Sequence, residues 1–339
     1  MIAPILWSFR RQPKSMLYHS AWALLLLLFC IAAPQTGHAQ TWPAKPIRFV
    51  VPTSAGTTMD VRARQVADRI AGPLGQPVVV ENRPGAGSTL GAAYVATSPA
   101  DGYTILVGSI GDQVVAPLVY TDLPHDPRTA FAPITQYAET APLLLANPAL
   151  GVRSVKELIA RARAAPGKIT IGSWGNGTFV HLLTMQLMKE ARIQLQHVPY
   201  KSAAQGLSDV AGGQIDLFWD YPVSSVPLIK AGKIVPLMVV GNARVPPLPD
   251  VQSAAEARLP AIKHKAWAGF FAPAGTPPAV MRRLNAEIVK ALRSPEMIRL
   301  VAEQGSQVVT NTPEQFAAFI QKEREELGAL VRELDIRIE

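Results

Sequence analysis

The spacing of hydrophobic residues along the chain changes in a way that alternates strands with helices. Residues 47–51 form a β-branched run closed by Pro52, and such a run favours a buried strand. After a segment of Thr, Ser and Gly, hydrophobic side chains recur every three to five positions, which predicts an amphipathic helix. The hydrophobic residues of that helix are Val61, Val66, Ile70 and Leu74.

The same alternation continues as far as residue 240. Further strands are predicted at 78–80, 104–107, 168–171, around Val198, and at 215–219 and 234–240, and further helices at 90–97, 154–165, 179–191 and 203–211. Strands that alternate with helices at this pitch predict βαβ crossovers and a sheet covered on both faces. We therefore expect an α/β fold with two similar lobes and a parallel or mixed sheet in each.

Start signals for three more helices follow in the last part of the chain. The expected first residues, each after a Thr or Ser N-cap, are Pro277 after Thr276, Pro295 after Ser294, and Pro313 after Thr312. Gln315 completes a capping-box pattern for the last of them. We expect this final helix to pack back on the first lobe.

Residues 1–39 have the layout of a secretory signal peptide. Three basic residues precede an apolar run from Ala21 to Ala33, and small residues lead to an expected cleavage after Ala39. The apolar run is shorter than the roughly 20 residues that a membrane-spanning helix needs. We expect an exported protein. Its predicted lobes are residues 40–142 with 243–339 for lobe 1 and residues 143–242 for lobe 2.

Composition and charge exclude several classes of protein. The chain of 339 residues is 48% hydrophobic and 17% charged, which is incompatible with a disordered chain. Its formal net charge is +8, but three of the basic residues belong to the leader, and the others are interspersed with acids. We therefore expect no nucleic-acid partner. The single cysteine, Cys30, lies in the leader, so disulfides and thiolate chemistry are not expected in the mature chain.

Four loops that follow predicted strands combine small residues with hydroxyls. Open α/β sheets bind ligands beyond the carboxyl ends of their strands, where helix N-termini offer free N–H groups to anions. The residues predicted to bind a ligand in these loops are Thr53, Ser54, Ala55, Gly56, Thr57 and Thr58; Gly87 and Ser88; Ser109; and Ser173, Trp174, Asn176, Gly177 and Thr178. Jointly the loops favour a cleft that holds a carboxylate.

Two acidic residues, Asp216 and Asp220, lie four positions apart, within and directly after the strand predicted at 215–219. Asp220, at the carboxyl end before Tyr221, is the better candidate for a ligand contact, whereas Asp216 has the alternative role of capping a turn after Gly213. Aromatic residues, which have core packing as an alternative role, also surround the predicted cleft. They are Trp174, Phe179, Trp219 and Tyr221.

Signatures of catalysis are weak. Gly85 and Gly87 followed by Gly91 miss the dinucleotide-binding spacing by one residue, and no P-loop, G-x-S-x-G elbow or H-E-x-x-H motif occurs. The mature histidines are isolated in sequence: His125, His181, His197 and His264. We expect no enzyme activity, no cofactor and no metal site. A secreted dehydrogenase or hydrolase is the alternative.

Short motifs throughout the mature chain resemble one family. They are Trp42 to Pro52 with Gly56 and Asp60, Gly75 to Gly87, Asp101 to Thr104, Gly175 to Thr178 with His181, Val198 to Lys201, Gly212 and Gly213 with Asp216, Pro246 to Val251, and Phe271 to Pro277. In this order they resemble the Bug-type solute-binding proteins of tripartite tricarboxylate transporters.

The resemblance implies a periplasmic receptor with a type II-like, Venus-flytrap fold that closes on a small carboxylate without a cofactor. It also implies that the loop after the first strand and the loop with Asn176 supply N–H and hydroxyl contacts to carboxylates, and that Asp220 faces the cleft. We further expect a monomer that delivers its solute to a two-subunit membrane permease, with Lys201 and Tyr221 among the ligand contacts. Reporting to a membrane sensor is an alternative with the same fold. The first loop departs from the family pattern, since Thr53 to Thr57 lacks one proline and one glycine and gains hydroxyls. Together with the aromatic residues, this leaves both aliphatic and aromatic carboxylates open.

Overall fold

The structure, a computed structural model, describes residues 42–85 and 88–338. The predicted signal peptide and its cleavage site after Ala39 lie outside these residues. Within the described part of the chain, no helix combines the length and apolar character needed to cross a membrane.

Two mixed β-sheets organise this part of the chain. Their strands are β1 (Ile47–Val51), β2 (Val78–Asn82), β3 (Thr104–Ser109), β4 (Phe131–Thr140), β5 (Leu143–Ala146), β6 (Thr170–Ser173), β7 (Gln196–Pro199), β8 (Leu217–Asp220), β9 (Val235–Val239), β10 (Ala266–Pro273) and β11 (Ser306–Val308). The first sheet has the order β11-β4-β10-β3-β1-β2 and the second β7-β6-β8-β5-β9. Parallel pairs such as β1 with β3 coexist with antiparallel pairs such as β10 with β3, so the predicted α/β class is confirmed.

Helices connect and cover these strands. The longer ones are Thr58–Leu74, Thr89–Ala96, Val155–Ala164, Phe179–Ala191, Ala203–Gly212, Pro222–Lys230, Pro278–Leu292, Pro295–Glu303 and Pro313–Glu333, and single turns lie at Gly111–Val115, Ala116–Val119, Pro127–Ala130 and Pro148–Leu150. Thr312 and Gln315 form the predicted capping box at the start of the last long helix.

Strand β10 contributes side chains to the hydrophobic layers on both faces of the first sheet, because neighbouring residues of a strand point to opposite faces. Phe270 packs against Phe49 and Tyr137, with ring centroids 5.0 Å and 5.5 Å away. Phe271 packs on the other face against Phe316 of the last helix, at 5.2 Å. The final helix therefore packs on the first lobe, as the sequence predicted.

The carboxyl ends of strands from the two sheets meet at the connection between β4 and β5. Strand β4 ends at Thr140 and β5 begins at Leu143. Leu143 pairs with Asp220, the last residue of β8, and β6 runs parallel to β8. In the first sheet β3 and β4 both run opposite to β10 and end at the same edge. Loops that follow strands in both lobes thus border one interlobe cleft. The predicted lobe boundaries themselves stay a prediction.

Some elements differ from the sequence prediction. Strands β4, β5 and β10 and the helix Pro222–Lys230 were not predicted. All eight residues of β10 are buried, so its sequence has no polar alternation to mark a strand. The N-cap predicted at Thr276 is wrong by one residue: Pro277 is the N-cap, and the Thr276 hydroxyl instead donates to the carbonyl of Pro273 at 2.8 Å.

Candidate functional site

The loop after β1 ends in a helix N-cap. The hydroxyl of Thr57 accepts the N–H of Asp60 at 3.4 Å and bonds to the hydroxyl of Thr53 at 2.8 Å. Thr58 is the first residue of the helix. The exposed residues at the tip are Ser54, Ala55 and Gly56. All six residues predicted here therefore lie at one helix N-terminus, whose positive dipole end favours an anion.

Asp60 holds this loop in shape. Its buried carboxylate accepts the N–H of Gly56 at 2.9 Å, Nε of Arg64 at 3.1 Å and the amide of Asn82 at 3.0 Å. Burial by itself would raise the pKa of Asp60, but these hydrogen bonds hold the pKa below its ordinary value. Gly56 adopts φ +82°, a conformation that glycine reaches without strain. The loop is thus fixed by an ionised side chain beneath it.

The second and third predicted loops contribute less. Gly87 lies outside the described residues, and Ser88 precedes the helix Thr89–Ala96 with φ +80°. Ser109 donates both its N–H and its hydroxyl to Asp112, at 2.7 Å and 2.6 Å. Burial raises the pKa of Asp112 in spite of these bonds. Both hydrogen-bond donors of Ser109 therefore bind the buried carboxyl group of Asp112.

The loop after β6 supplies a second helix N-cap. Thr178 accepts the N–H of His181 at 3.3 Å and donates its hydroxyl to the carbonyl of Gly175 at 2.8 Å. The exposed Asn176 uses its carbonyl to accept the hydroxyl of Tyr120, in the first lobe, at 3.0 Å. The helix Phe179–Ala191 thus presents its N-terminus at the cleft, and its loop contacts the opposite lobe.

Two histidines support this loop from below. The rings of His181 and His197 stack with centroids 4.5 Å apart, Nδ1 of His181 accepts the N–H of Gly177 at 3.2 Å, and Nε2 of His197 lies 2.6 Å from the hydroxyl of Ser173. These two histidines are isolated in sequence, but the fold brings them into contact. Ser173 is completely buried, so its contact with an imidazole gives no accessible nucleophile.

We expect acid to destabilise the protein through His197. Burial, followed by the nearby His181, lowers the pKa of His197 to about 4, from an ordinary 6.5. The unfolded chain therefore binds this proton at a higher pH than the native state does, and stability is lost as pH falls from about 6.5 to about 4. With the partial exposure of the ring taken into account, the loss is about 2 kcal/mol.

Urea unfolding at pH 7 and pH 4.5 measures this loss. His197→Gln, which cannot titrate and can still bond to Ser173, serves as the comparison and should show a smaller change in the free energy of unfolding between the two pH values. An equal change in both proteins would contradict a role for His197.

Asp220 and Tyr221 lie where β8 meets the cleft. Asp220 is buried and accepts the hydroxyls of Ser224 and Ser225, at 2.6 Å and 2.9 Å. Burial raises the pKa of Asp220, and burial together with Asp220 raises the pKa of Tyr221. The ring of Tyr221 meets Trp174 edge-on at 4.8 Å, and Nε1 of Trp174 is buried without a hydrogen-bond partner. Trp174 and Tyr221 thus form one aromatic wall at the strand ends.

Other predicted residues have structural roles or lie apart. Asp216 accepts the N–H and hydroxyl of Thr170 at 2.8 Å each, which joins β6 to the start of β8. Trp219 and Phe179 are core residues. Lys201 is exposed just after β7. Fewer of the predicted ligand residues therefore contact one another in the structure than the sequence suggested.

Sequence reasoning missed two buried polar residues near the contact between the lobes. Arg62 is 1% exposed and Tyr137, near the end of β4, is 4% exposed. Burial raises the pKa of Tyr137, Arg62 opposes this rise, and Asp112 adds to it. Tyr137 also raises the pKa of Tyr221, so the phenols of the two lobes are close enough to interact. The spacing of Arg62, four residues before Val66 and eight before Ile70, is the signal that places it on the buried face of its helix.

The described residues contain no group of three His, Cys, Asp or Glu side chains that could hold a metal ion. A surface cavity of about 250 Å³ lies away from the strand-end loops, between the last helix and the start of β10. It is lined by residues that include His264, Trp267, Phe319 and Glu323.

Comparison with known proteins identifies the family. Residues 62–336 match the model of the tripartite tricarboxylate transporter family receptor, TctC. The chain belongs to this family. It is 36% identical over 330 residues to a UPF0065 protein of Bordetella pertussis, a match that covers 96% of this chain and 99% of the relative. The family consists of solute-binding receptors that work with a membrane transporter, and the chain is therefore a solute-binding protein and not an enzyme.

Solved structures of TctC-like proteins share the fold. Rpa4515 of R. palustris, solved with adipate, superposes with a TM-score of 0.82 at 33% identity, covering 87% of this chain and 99% of that one. MatC of Rhodopseudomonas palustris, solved with malate, has a TM-score of 0.78 at 29% identity, covering 86% and 100%. The predicted two-lobe periplasmic binding protein fold is confirmed for this TctC chain.

Proposed function

We propose that this TctC protein is exported to the periplasm, where it captures a small carboxylate between its lobes as a monomer and delivers it to a two-subunit membrane permease. The observation that carries the proposal is the pair of helix N-caps, Thr57 and Thr178, which border the cleft from opposite lobes. Helix N-termini attract anions through free N–H groups and the helix dipole. Adipate and malate, found with two structural relatives, are both carboxylates.

Capture would proceed by closure of the lobes about the connections between the sheets. A solute that contacts both N-caps binds the closed form more tightly than the open form, and this difference in affinity drives closure. The hydrogen bond between Tyr120 and Asn176 supports such a mechanism, because it joins the first lobe to the loop that carries Thr178.

The binding step can be tested by thermal unfolding of the mature protein. We expect at least one solute from a panel of malate, adipate, citrate and benzoate to raise the midpoint, since binding to the native state alone stabilises it. Thr178→Ala should weaken binding of that solute. It should also lower the free energy of unfolding by about 1 kcal/mol, because the helix cap is lost. Ser154→Ala removes the cap of the helix Val155–Ala164. It should lower the free energy of unfolding by a similar amount without weakening solute binding.

A midpoint that no carboxylate raises would refute the proposed function. Equal solute affinity in the two cap variants would instead refute the assignment of Thr178 to the site. Delivery is tested separately, by uptake of the identified carboxylate in a deletion strain carrying or lacking the gene. Normal uptake in the deletion strain would contradict a transport role.

A further inference from the structure

Arg62 is a buried cation near the contact between the two lobes. It is the fifth residue of the helix Thr58–Leu74, which follows the Thr53–Thr57 loop, and only 1% of its surface is exposed. An ionised side chain loses much hydration free energy on burial, and this loss is normally offset by a carboxylate partner. Arginine does not escape the cost by losing its proton, because its guanidinium stays charged in proteins.

Its hydrogen bonds go to neutral groups. Nη1 donates to the amide oxygen of Gln65 at 2.7 Å, Nη2 donates to the amide oxygen of Gln304, and the buried Nε has no partner. Within residues 42–85 and 88–338, no carboxylate forms an ion pair with Arg62. The nearby Asp60 pairs with Arg64 instead. The positive charge is therefore uncompensated.

The surroundings of Arg62 connect it to the opposite lobe. Gln304 precedes Gly305, and a Cβ added to Gly305 would lie 2.4 Å from Pro222, the residue after Tyr221. Arg62 opposes the rise in the pKa of Tyr137, and Tyr137 adds to the rise in the pKa of Tyr221, so these side chains are neighbours. Arg62 thus lies at the seam of the lobes, on the side where Tyr221 and Trp174 form the aromatic wall.

We propose that Arg62 is a specificity-determining residue that binds an anionic group of the solute, separate from the carboxylate at the helix N-caps. This inference rests on the proposed function, because it assumes that a solute enters the cleft. An anion beside Arg62 would provide the missing countercharge and would accept from the unpartnered Nε. The site would then favour a dianion over a monoanion of the same length.

The alternative is a structural role in which Arg62 crosslinks its helix to Gln304. The two roles predict opposite effects on stability. If the role of Arg62 is to bind the solute, Arg62→Met removes an uncompensated buried charge. The thermal midpoint of the solute-free protein then stays unchanged or rises. If Arg62 is a crosslink, the same substitution lowers the midpoint and leaves solute affinity unchanged.

The test compares adipate with monomethyl adipate by calorimetry in the wild type, Arg62→Met and Arg62→Lys. We expect the wild type to prefer adipate, Arg62→Met to bind adipate about 10- to 100-fold more weakly with little preference left, and Arg62→Lys to fall between them. Arg69→Gln is the control: Arg69 lies on the same helix but pairs with Glu296 at 2.9 Å, so its loss should leave adipate binding unchanged.

Equal affinity for the diacid and its monoester in the wild type would overturn the role of Arg62 while leaving the proposed function intact. So would a destabilised Arg62→Met variant that binds adipate normally. Absence of binding by every carboxylate in the panel would refute the proposed function itself, and the role of Arg62 with it.

Discussion

Replacing Trp219 with alanine is expected to lower the free energy of unfolding by about 3–5 kcal/mol, the range for truncating a large core aromatic side chain. Trp219 is completely buried on β8, and its Nε1–H donates to the hydroxyl of Thr184 at 3.1 Å. The substitution removes both the packing and the partner of a buried hydroxyl. Because Asp220 and Tyr221 follow directly, the cavity would also loosen the second-lobe side of the cleft.

Denaturant unfolding measures this loss, with Thr184→Val and Trp174→Ala as comparisons. Thr184→Val leaves the indole N–H without a partner and should cost about 1–3 kcal/mol. Trp174 is only partly buried, so its truncation should cost less than that of Trp219. A Trp219→Ala variant that loses less than about 1 kcal/mol would show that the core collapses around the cavity.

Gly177→Ala is expected to weaken solute binding about tenfold and to reduce stability by about 1–3 kcal/mol. Gly177 has φ +70°, and an added Cβ would lie 2.7 Å from Ile338 and 3.0 Å from the ring of Tyr120. Both neighbours belong to the opposite side of the interlobe contact. The methyl group would push the loop away from Tyr120 and so oppose the arrangement in which the lobes meet.

Gly232→Ala separates backbone strain from this clash. Gly232 has a similar φ of +68° but no atom within 4 Å of an added Cβ. It should therefore show only the strain of a left-handed residue, about 1 kcal/mol, with normal solute affinity. Equal effects of the two substitutions on solute affinity would contradict the importance of the contact at Gly177.

Periodicity predicted local structure well where one face of an element is polar. The helix Thr58–Leu74 follows from its hydrophobic spacing and the helix Pro313–Glu333 from its capping box. Strand β10 could not be recognised in the same way, because an entirely buried strand lacks alternation. Strand β4 contains Pro133, which pairs next to an irregularity in the ladder with β10, and proline normally argues against an inner strand.

The candidate site was predictable as loops but not as contacts. The N-caps Thr57 and Thr178 are local features, and the sequence predicted both residues as ligand candidates, although not as caps. The stacked pair of His181 and His197 depends on how the helix Phe179–Ala191 packs beside β7, which no local pattern encodes. The burial of Arg62 is not expected from its residue type, because an arginine in a helix is ordinarily exposed. Its burial follows from the helix that covers the sheet.

The edge-on contact between Trp174 and Tyr221 also has an optical consequence. Trp42, Trp219 and Trp267 are the other tryptophans in the described residues, and their indoles contact Tyr103, Thr184 and Phe316 in the body of the lobes. Trp174 alone among these four lies in a strand-end loop of the cleft. We therefore expect its fluorescence to change when a solute binds and this change to be lost in a Trp174→Phe variant, so that solute capture could be followed without an attached dye.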